Sequence, residues 1–485
     1  MPQPLKALRP GHSIGAWFGA ELRHWRLQRG MSQKELGQRV WISGSMIGKI
    51  ETAERACPSS LAYKLDEILD TGGVLSRAWP LLDAHQRQAV SLAPEAVSGP
   101  TAVTGPNVSL HGAAEPGGEG YLKTASGRFF AGARIEVQIS RATRREDKIR
   151  IEEPPAAVTP VQAQLLVGIH DDADGPAMVA IDARRKRRRL RQAPGTADIS
   201  IPGAYVLDDL TTGLLWAASS LDRALLFDDA LISERKSELD NFEKFPRSSA
   251  GRDMAAELTA VSQLWMGSDF CARYILRQSS RLTSTPDFWT RERTGEEAST
   301  WLLFAHKYSY LKALSERFPT GATRSFCIPE LLVGSSPQAE RFLIVLAAAL
   351  MESFGIRIQV CSDPEYSTVE GFVLDPYRWA IIASWLGTDG IWHVDTTDSM
   401  ATVREYTDIT AYASAHSVID APTPHERLRA FADYLNVEWS WLVRRCAELS
   451  TYGIAGLLVP SSRLLSTTGI DRACRFLGKA ALVKR

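Results

Sequence analysis

The sequence predicts a multidomain protein in which an all-α head of five helices precedes a small β-rich unit and a C-terminal α/β region. Three observations support this fold class. The chain has 485 residues, which is too many for one hydrophobic core. Apolar residues recur at helical spacing over residues 14–88 and alternate as in strands from residue 135 onward. Helix-like and strand-like segments then alternate over residues 241–485, which is typical of a sheet covered by helices.

Changes of composition place the expected domain boundaries. Residues 1–89 form the head. Residues 90–119 consist mostly of Ala, Gly, Pro, Ser and Val without periodicity, which is typical of a flexible linker. The β-rich unit and its following helices are expected over residues 120–240. Residues 241–485 are expected to form an α/β domain that serves regulation or dimerisation.

The head contains a closely spaced pair of helices. Ser32 followed by Glu35 is the capping-box pattern for a helix start. Gln33–Glu51 then holds an amphipathic helix, a short turn and a second amphipathic helix. Helices this short are not stable alone and must pack against neighbours. The other helices of the head are expected at residues 14–29, 58–69 and 74–88.

Three motifs in this region resemble the Cro/CI-type repressors, the XRE family of DNA-binding regulators. They are LRxxR at Leu22–Arg26, MSQKEL at Met31–Leu36 and IxKIE at Ile47–Glu51. The resemblance runs from about Phe18 to Leu69. With the long chain that follows, it is similar to actinobacterial regulators of this family that carry a long uncharacterised C-terminal region.

The resemblance implies the partner and the site. In that family the second helix of the pair lies in the major groove of double-stranded DNA, and two copies read a palindrome. A homodimer is therefore expected, with a small-molecule or protein effector acting on the body. The DNA-binding residues implied are Gln33, Ser43, Gly44, Ser45 and Lys49, with Arg23, Arg26 and Arg55 as flanking phosphate contacts. Phosphate contacts set affinity and register but read no sequence.

Two positions depart from the family pattern. Trp41 stands at the turn position that is usually glycine, and a positive φ there costs on the order of 1 kcal/mol. We therefore expect either a rebuilt turn or an indole that fills a gap. Gly44 offers no side chain where many relatives have Arg or Gln. Base readout is then expected to depend on Ser45, Lys49 and the shape of the DNA.

The rest of the chain gives a coarse pattern of elements. In the β-rich unit, strands are expected within residues 121–140, 148–153 and 177–182, followed by a helix over residues 206–231. In the C-terminal region, helices are expected over residues 253–282, 296–318, 338–354, 422–446 and 461–477. Its strands are expected at residues 325–328, 356–361, 371–374, 380–385 and 391–395.

Three features of the body allow a functional or a structural interpretation. The basic run at residues 183–191 is either a second nucleic-acid contact or a set of exposed charges paired with nearby acids. The segment of residues 334–341 either binds an anion at a helix start or holds serines that cap the helix. The acidic group near a strand end either holds a divalent ion, serves as acid and base, or is only hydrogen-bonded. Its members are His393, Asp395, Asp398, Asp363, Glu365 and Glu370.

Other classes of protein are not favoured. The six cysteines show neither a disulfide framework nor zinc-site spacing. GxSxG and Walker motifs do not occur in the sequence. The N-terminus lacks the apolar core of a signal peptide, and residues 342–351 are too short an apolar run to cross a bilayer. We therefore expect a cytoplasmic transcription regulator without catalytic residues, cofactor or metal. The alternative is a body that is an enzyme or a ligand- or protein-binding module, with the head as tether or autoregulator, as in antitoxins.

Overall fold

The computed structural model describes residues 14–52, 57, 59–78, 103–105, 107–112, 119–145, 148–151, 164–172, 175–184 and 199–482. The chain divides into two compact units, Met1–Ser98 and Gly99–Arg485. The expected fold class is confirmed, because an all-α head precedes sheet-forming strands and an α/β C-terminal region. Among the described residues, no helix combines the length and the apolar character needed to cross a membrane.

The first unit is helical. Its elements are α1 (Ile14–Gln28), α2 (Gln33–Val40), α3 (Gly44–Glu51) and α4 (Ser59–Leu69), and residues 74–78 are also helical. Each helix contributes apolar side chains to one core, including Leu22, Leu36, Ile47 and Leu65, which are fully buried. Packing against this shared core stabilises helices that are too short to persist alone.

The second unit begins with a sheet of eight strands. They are β1 (Val103–Gly105), β2 (Val108–Gly112), β3 (Glu119–Thr124), β4 (Arg134–Arg145), β5 (Lys148–Ile151), β6 (Leu165–Asp172), β7 (Gly175–Asp182) and β8 (Ser200–Pro202). The strands β1 to β5 pair in sequence order, each antiparallel to the next, and β8 pairs with β5. The long strand β4 also pairs in parallel with β6, which carries β7 at its other edge.

The strands β1 and β2 correct the expected linker. They lie within residues 90–119, and Val108 and Leu110 of β2 are buried in the core. The two strands were not predicted because apolar and polar residues alternate over only a few positions, between segments rich in Gly and Pro.

A second sheet of seven strands lies in the C-terminal part. Its strands are β9 (Ser248–Gly251), β10 (Asp287–Thr290), β11 (Ala322–Cys327), β12 (Ile356–Cys361), β13 (Phe372–Asp375), β14 (Trp379–Ser384) and β15 (Gly390–Thr397). The spatial order is β12-β11-β10-β13-β14-β15-β9. The pairs among β10, β11 and β12 are parallel, and all other pairs are antiparallel.

Eleven α-helices accompany the sheets in the described part of this unit. They are α5 (Asp209–Phe227), α6 (Asp229–Leu239), α7 (Ala260–Gln278), α8 (Gly295–Leu303), α9 (Ala305–Arg317), α10 (Glu330–Ser335), α11 (Gln338–Glu352), α12 (Met400–Ala415), α13 (Pro424–Tyr434), α14 (Trp439–Tyr452) and α15 (Thr468–Leu482). Three expected helices are each divided into two, at Asp228, at Phe304 and over residues 435–438.

Helices cover both faces of the second sheet. Phe288 and Val373 belong to the large core that also contains α7 and α11. Their neighbours in sequence, Trp289 and Phe372, point to the other face and pack with α12. This alternation follows from the two-residue period of a strand. The large core also includes Leu122 of the first sheet, so residues on both sides of the expected boundary at position 240 share one core.

Candidate nucleic-acid interface

The capping pattern at the start of α2 is present as hydrogen bonds. The Glu35 amide donates to Ser32 Oγ at 3.1 Å, and the Ser32 amide donates to the Glu35 carboxylate at 2.7 Å. The hydrogen bonds that the Glu35 carboxylate accepts from the Ser32 amide and hydroxyl lower the pKa of Glu35. The negative charge also lies where a helix N-terminus favours it. The sequence therefore fixes where α2 begins.

The turn between α2 and α3 keeps the left-handed geometry of a glycine turn. Trp41 has φ 64° and ψ 35°, and its amide donates to the Gly37 carbonyl. The indole is 87% exposed. Both expectations for Trp41 are thus wrong, because the turn is not rebuilt and the ring fills no gap.

Small residues let α3 start directly against α2. A methyl group at Gly44 would lie 2.8 Å from the Lys34 α-carbon, and one at Gly37 would lie 2.6 Å from the Ile42 carbonyl oxygen. Gly44 is therefore required by packing. A side chain there would be directed at α2, so Gly44 can offer DNA only its backbone.

The face of α3 away from the core is polar. Ser43 Oγ accepts a hydrogen bond from the Met46 amide at 3.1 Å and so caps the helix. Ser45 and Lys49 are exposed and lie on one side of the helix, since they are four residues apart. Ile47 and Ile50 are buried on the opposite side.

Three of the expected DNA contacts converge instead on the buried carboxylate of Glu51. Arg26 donates from Nε at 2.5 Å and from Nη2 at 3.1 Å, and it is only 3% exposed. Arg23 donates from Nε at 3.2 Å and Gln33 from Nε2 at 2.9 Å. A buried carboxylate is costly unless it is paired and hydrogen-bonded. The expectation that Arg26 contacts phosphate is therefore wrong, and Arg23 and Gln33 are engaged in the same way.

Glu51 was not among the residues expected to matter for the site. Glu51 closes the IxKIE motif, directly after buried Ile50, and its position on the buried side of α3 is the signal that could have identified it. Lys34 and Arg39 of α2 are exposed cations, although neither was among the expected contacts. Arg55 lies outside the described residues.

The acidic group of the body does not converge. Asp395 pairs with Arg247 at 3.4 Å, and Glu370 accepts a hydrogen bond from the Tyr406 hydroxyl at 2.5 Å. Asp363 accepts one from a tyrosine of α12 at 2.9 Å. Among the residues that the structure describes, no three His, Cys, Asp or Glu side chains are grouped so as to hold a metal ion. The hydrogen-bonded interpretation fits these contacts best.

The two other candidate segments of the body also make structural contacts. In the basic run, Arg184 pairs with Asp182 at 2.7 Å, while residues 185–191 lie outside the described part. Ser335 and Ser336 donate to the Leu332 carbonyl at 3.1 and 2.7 Å. They therefore complete α10, and the expectation that they cap the next helix is wrong.

Comparison with known proteins identifies the first unit. Residues 17–79 match the family model described as a helix-turn-helix domain. No curated protein and no solved structure matches the chain. The matched residues contain α2, the turn at Trp41 and α3, which is the helix pair of that motif. Residues 17–79 are thus a helix-turn-helix DNA-binding domain.

Proposed function

We propose that the protein is a sequence-specific transcription regulator of the Cro/CI type, which acts in the cytoplasm on double-stranded DNA. The observation that carries the proposal is the exposed polar side of α3 within a helix-turn-helix domain. In such domains the second helix enters the major groove with its N-terminal residues toward the base edges. Ser45 lies in the first turn of α3 and Lys49 in its last turn, and both are exposed on the same side.

The proposal assigns different roles to the side chains around α3. Ser45 and Lys49 contact base edges, where a lysine donates to the acceptors of guanine. Ser43 and Gly44 contribute the backbone of the helix start, since the Ser43 hydroxyl already caps α3. Lys34 and Arg39 replace Arg23 and Arg26 as phosphate contacts, because both are exposed on α2.

The proposed active species is a homodimer on a palindromic operator. One domain of this size buries limited surface on DNA, so useful affinity requires a second copy. The second unit would supply the dimer contacts and respond to an effector, without a catalytic role. Two-fold symmetry then predicts two half-sites whose centres lie about 10 base pairs, or a multiple, apart.

Selection from random-sequence duplexes with the intact chain tests the proposal. We expect one enriched motif with inverted half-sites, and crosslinking in cells should recover the same motif near the controlled genes. The Ser45→Ala/Lys49→Ala double variant should lose the enrichment but retain weak binding to all duplexes. Equal enrichment by this variant would contradict the role of α3, and no enrichment by the wild type would contradict sequence-specific binding.

A further inference from the structure

A polar pocket lies on the second sheet where the order of its strands reverses. From β10 the chain proceeds through β11 to β12 on one side, and β13 then joins the other side of β10. The pocket is lined by the end of β10 and the residues after it, including Thr290 and Arg291, and by Gly371 just before β13. Ligands of open α/β sheets bind at such reversal points, outside the carboxyl ends of strands.

Positive charge predominates among the residues that line this pocket. Arg291, Lys307 and Arg324 are cationic, and Glu292 is the one carboxylate among the lining residues. Lys307 and Arg324 are only 3% and 4% exposed. Burying two cations with one carboxylate is unfavourable unless further negative charge is supplied.

The pairing inside the pocket is incomplete. Lys307 Nζ lies 3.4 Å from the Glu292 carboxylate, which is a long contact. Arg324 donates from Nη1 to the Thr290 hydroxyl at 2.8 Å and from Nη2 to Tyr310 at 3.5 Å. Two buried donors, Arg324 Nε and Trp301 Nε1, have no hydrogen-bond partner among the described residues. Donors thus exceed acceptors.

Aromatic rings hold the cations in place. Lys307 Nζ lies 3.5 Å from the centre of the Trp301 ring and 4.3 Å from that of Trp385. The Arg324 guanidinium carbon lies 4.5 Å from the centre of the Phe288 ring. Burial lowers the pKa of Lys307 to about 8, so this lysine is still mainly protonated at pH 7. The rings fix the two cations without neutralising them.

We propose that this pocket binds a small oxyanion, the carboxylate or phosphate group of a metabolite. An oxyanion brings the negative charge and the acceptor oxygens that Arg324, Lys307 and Trp301 lack. The cavity volume of about 40 Å³ holds roughly three water molecules, which suits such a group better than a whole cofactor. Arg291 and Trp385 are the lining residues that are not fully buried, so access lies beside them.

The site gives the second unit a ligand-binding role, and the inference does not depend on DNA binding by the head. Its test uses the intact chain in chloride buffer of constant ionic strength, titrated separately with inorganic phosphate and with succinate. Both Trp301 and Trp385 line the pocket, so intrinsic tryptophan fluorescence reports on it. We expect a saturable fluorescence change and a rise in Tm with at least one of the two anions. Which anion acts distinguishes a phosphate from a carboxylate ligand.

Variants of opposite expected sign locate the binding. Arg324→Met should lower the affinity for the anion roughly tenfold or more, because a charge-assisted hydrogen bond is lost. Glu292→Gln should raise this affinity by about fivefold or more, since a negative charge that repels the anion is removed. The matched control is Lys312→Met, because Lys312 is an exposed lysine of α9, and it should bind as the wild type does.

The outcomes are decisive even if one variant does not fold. Should Arg324→Met lose its helical circular dichroism, the tighter binding expected of Glu292→Gln carries the test. The proposal is overturned if neither anion gives a saturable response in the wild type. It is equally overturned if the folded pocket variants bind like Lys312→Met, because the anion then binds elsewhere.

Discussion

At the scale of single residues, the head depends on one buried carboxylate. Glu51 is fully buried and accepts hydrogen bonds from Arg23, Arg26 and Gln33. Arg26 also donates to the Met31 carbonyl at 2.7 Å, just before α2. Arg23 and Arg26 thus link α1 to Glu51 at the end of α3. The hydrogen bond from Arg26 to Met31 also links α1 to the segment just before α2.

The first prediction is that Arg26→Ala destabilises the head. It leaves Glu51 buried without its main partner, and the loss of one member of a buried pair costs about 3 kcal/mol. Amides of α1 and α3 in the intact chain should then exchange with deuterium roughly a hundredfold faster. Lys64→Ala, which removes an exposed cation of α4, should leave exchange unchanged. Unaltered exchange in Arg26→Ala would contradict this structural role, and a phosphate contact would again be the expected role of Arg26.

The second prediction concerns acid. Burial would by itself raise the pKa of Asp66, but hydrogen bonds from Ser76, Thr71 and the Leu75 amide outweigh it, so the pKa is lowered. A lowered folded-state pKa stabilises the fold above the unfolded value of about 3.9, and this stabilisation is lost as the pH falls through the folded value.

Thermal melting followed by helical circular dichroism between pH 5 and pH 2 measures this loss. We expect the Tm of the wild type to fall across this range more steeply than that of Asp66→Asn, which cannot titrate. Parallel curves for the two proteins would show that Asp66 does not contribute to the acid sensitivity.

At the scale of elements, the sequence predicted best where a local chemical rule decides the structure. The capping box places the start of α2 at Gln33, and β12 coincides with the expected strand Ile356–Cys361. The strand β10 was missed because it has four residues and is mostly buried on both faces, so it shows no alternation. The single long helix expected over residues 296–318 breaks at Phe304. The backbone of Phe304 is in the β region, and the surrounding sequence contains no pattern that predicts this break.

The third prediction follows from the turn at Trp41. Its left-handed backbone costs a residue with a β-carbon on the order of 1 kcal/mol, and the exposed indole returns little packing. Trp41→Gly should therefore stabilise the head and slow amide exchange in α2 and α3. Trp41→Ala is the matched control, because it removes the ring but keeps the β-carbon and hence the strain. Faster exchange in Trp41→Gly than in Trp41→Ala would show that the account of strain is wrong.

At the scale of the whole molecule, the sequence predicted the class of each region better than the residues of the site. The side of α3 that carries Ser45 and Lys49 follows from helical periodicity alone. Whether Arg26 of α1 is exposed depends instead on Glu51, which lies 25 residues away along the chain. A pattern of neighbouring residues does not show a contact over that separation. The pocket of the second sheet was not predicted for the same reason, because its charges come from three separate segments, the residues after β10, α9 and β11.

The central claim is that the exposed side of α3 reads DNA sequence. Fluorescence anisotropy measures it most directly, with the intact protein titrated onto its selected duplex and onto a scrambled duplex at fixed salt. We predict that Lys49→Ala lowers the preference for the selected duplex by roughly tenfold, since a specific base contact contributes about 1–3 kcal/mol. Lys64→Ala should keep the preference of the wild type. An undiminished preference in Lys49→Ala would contradict the placement of α3 in the major groove.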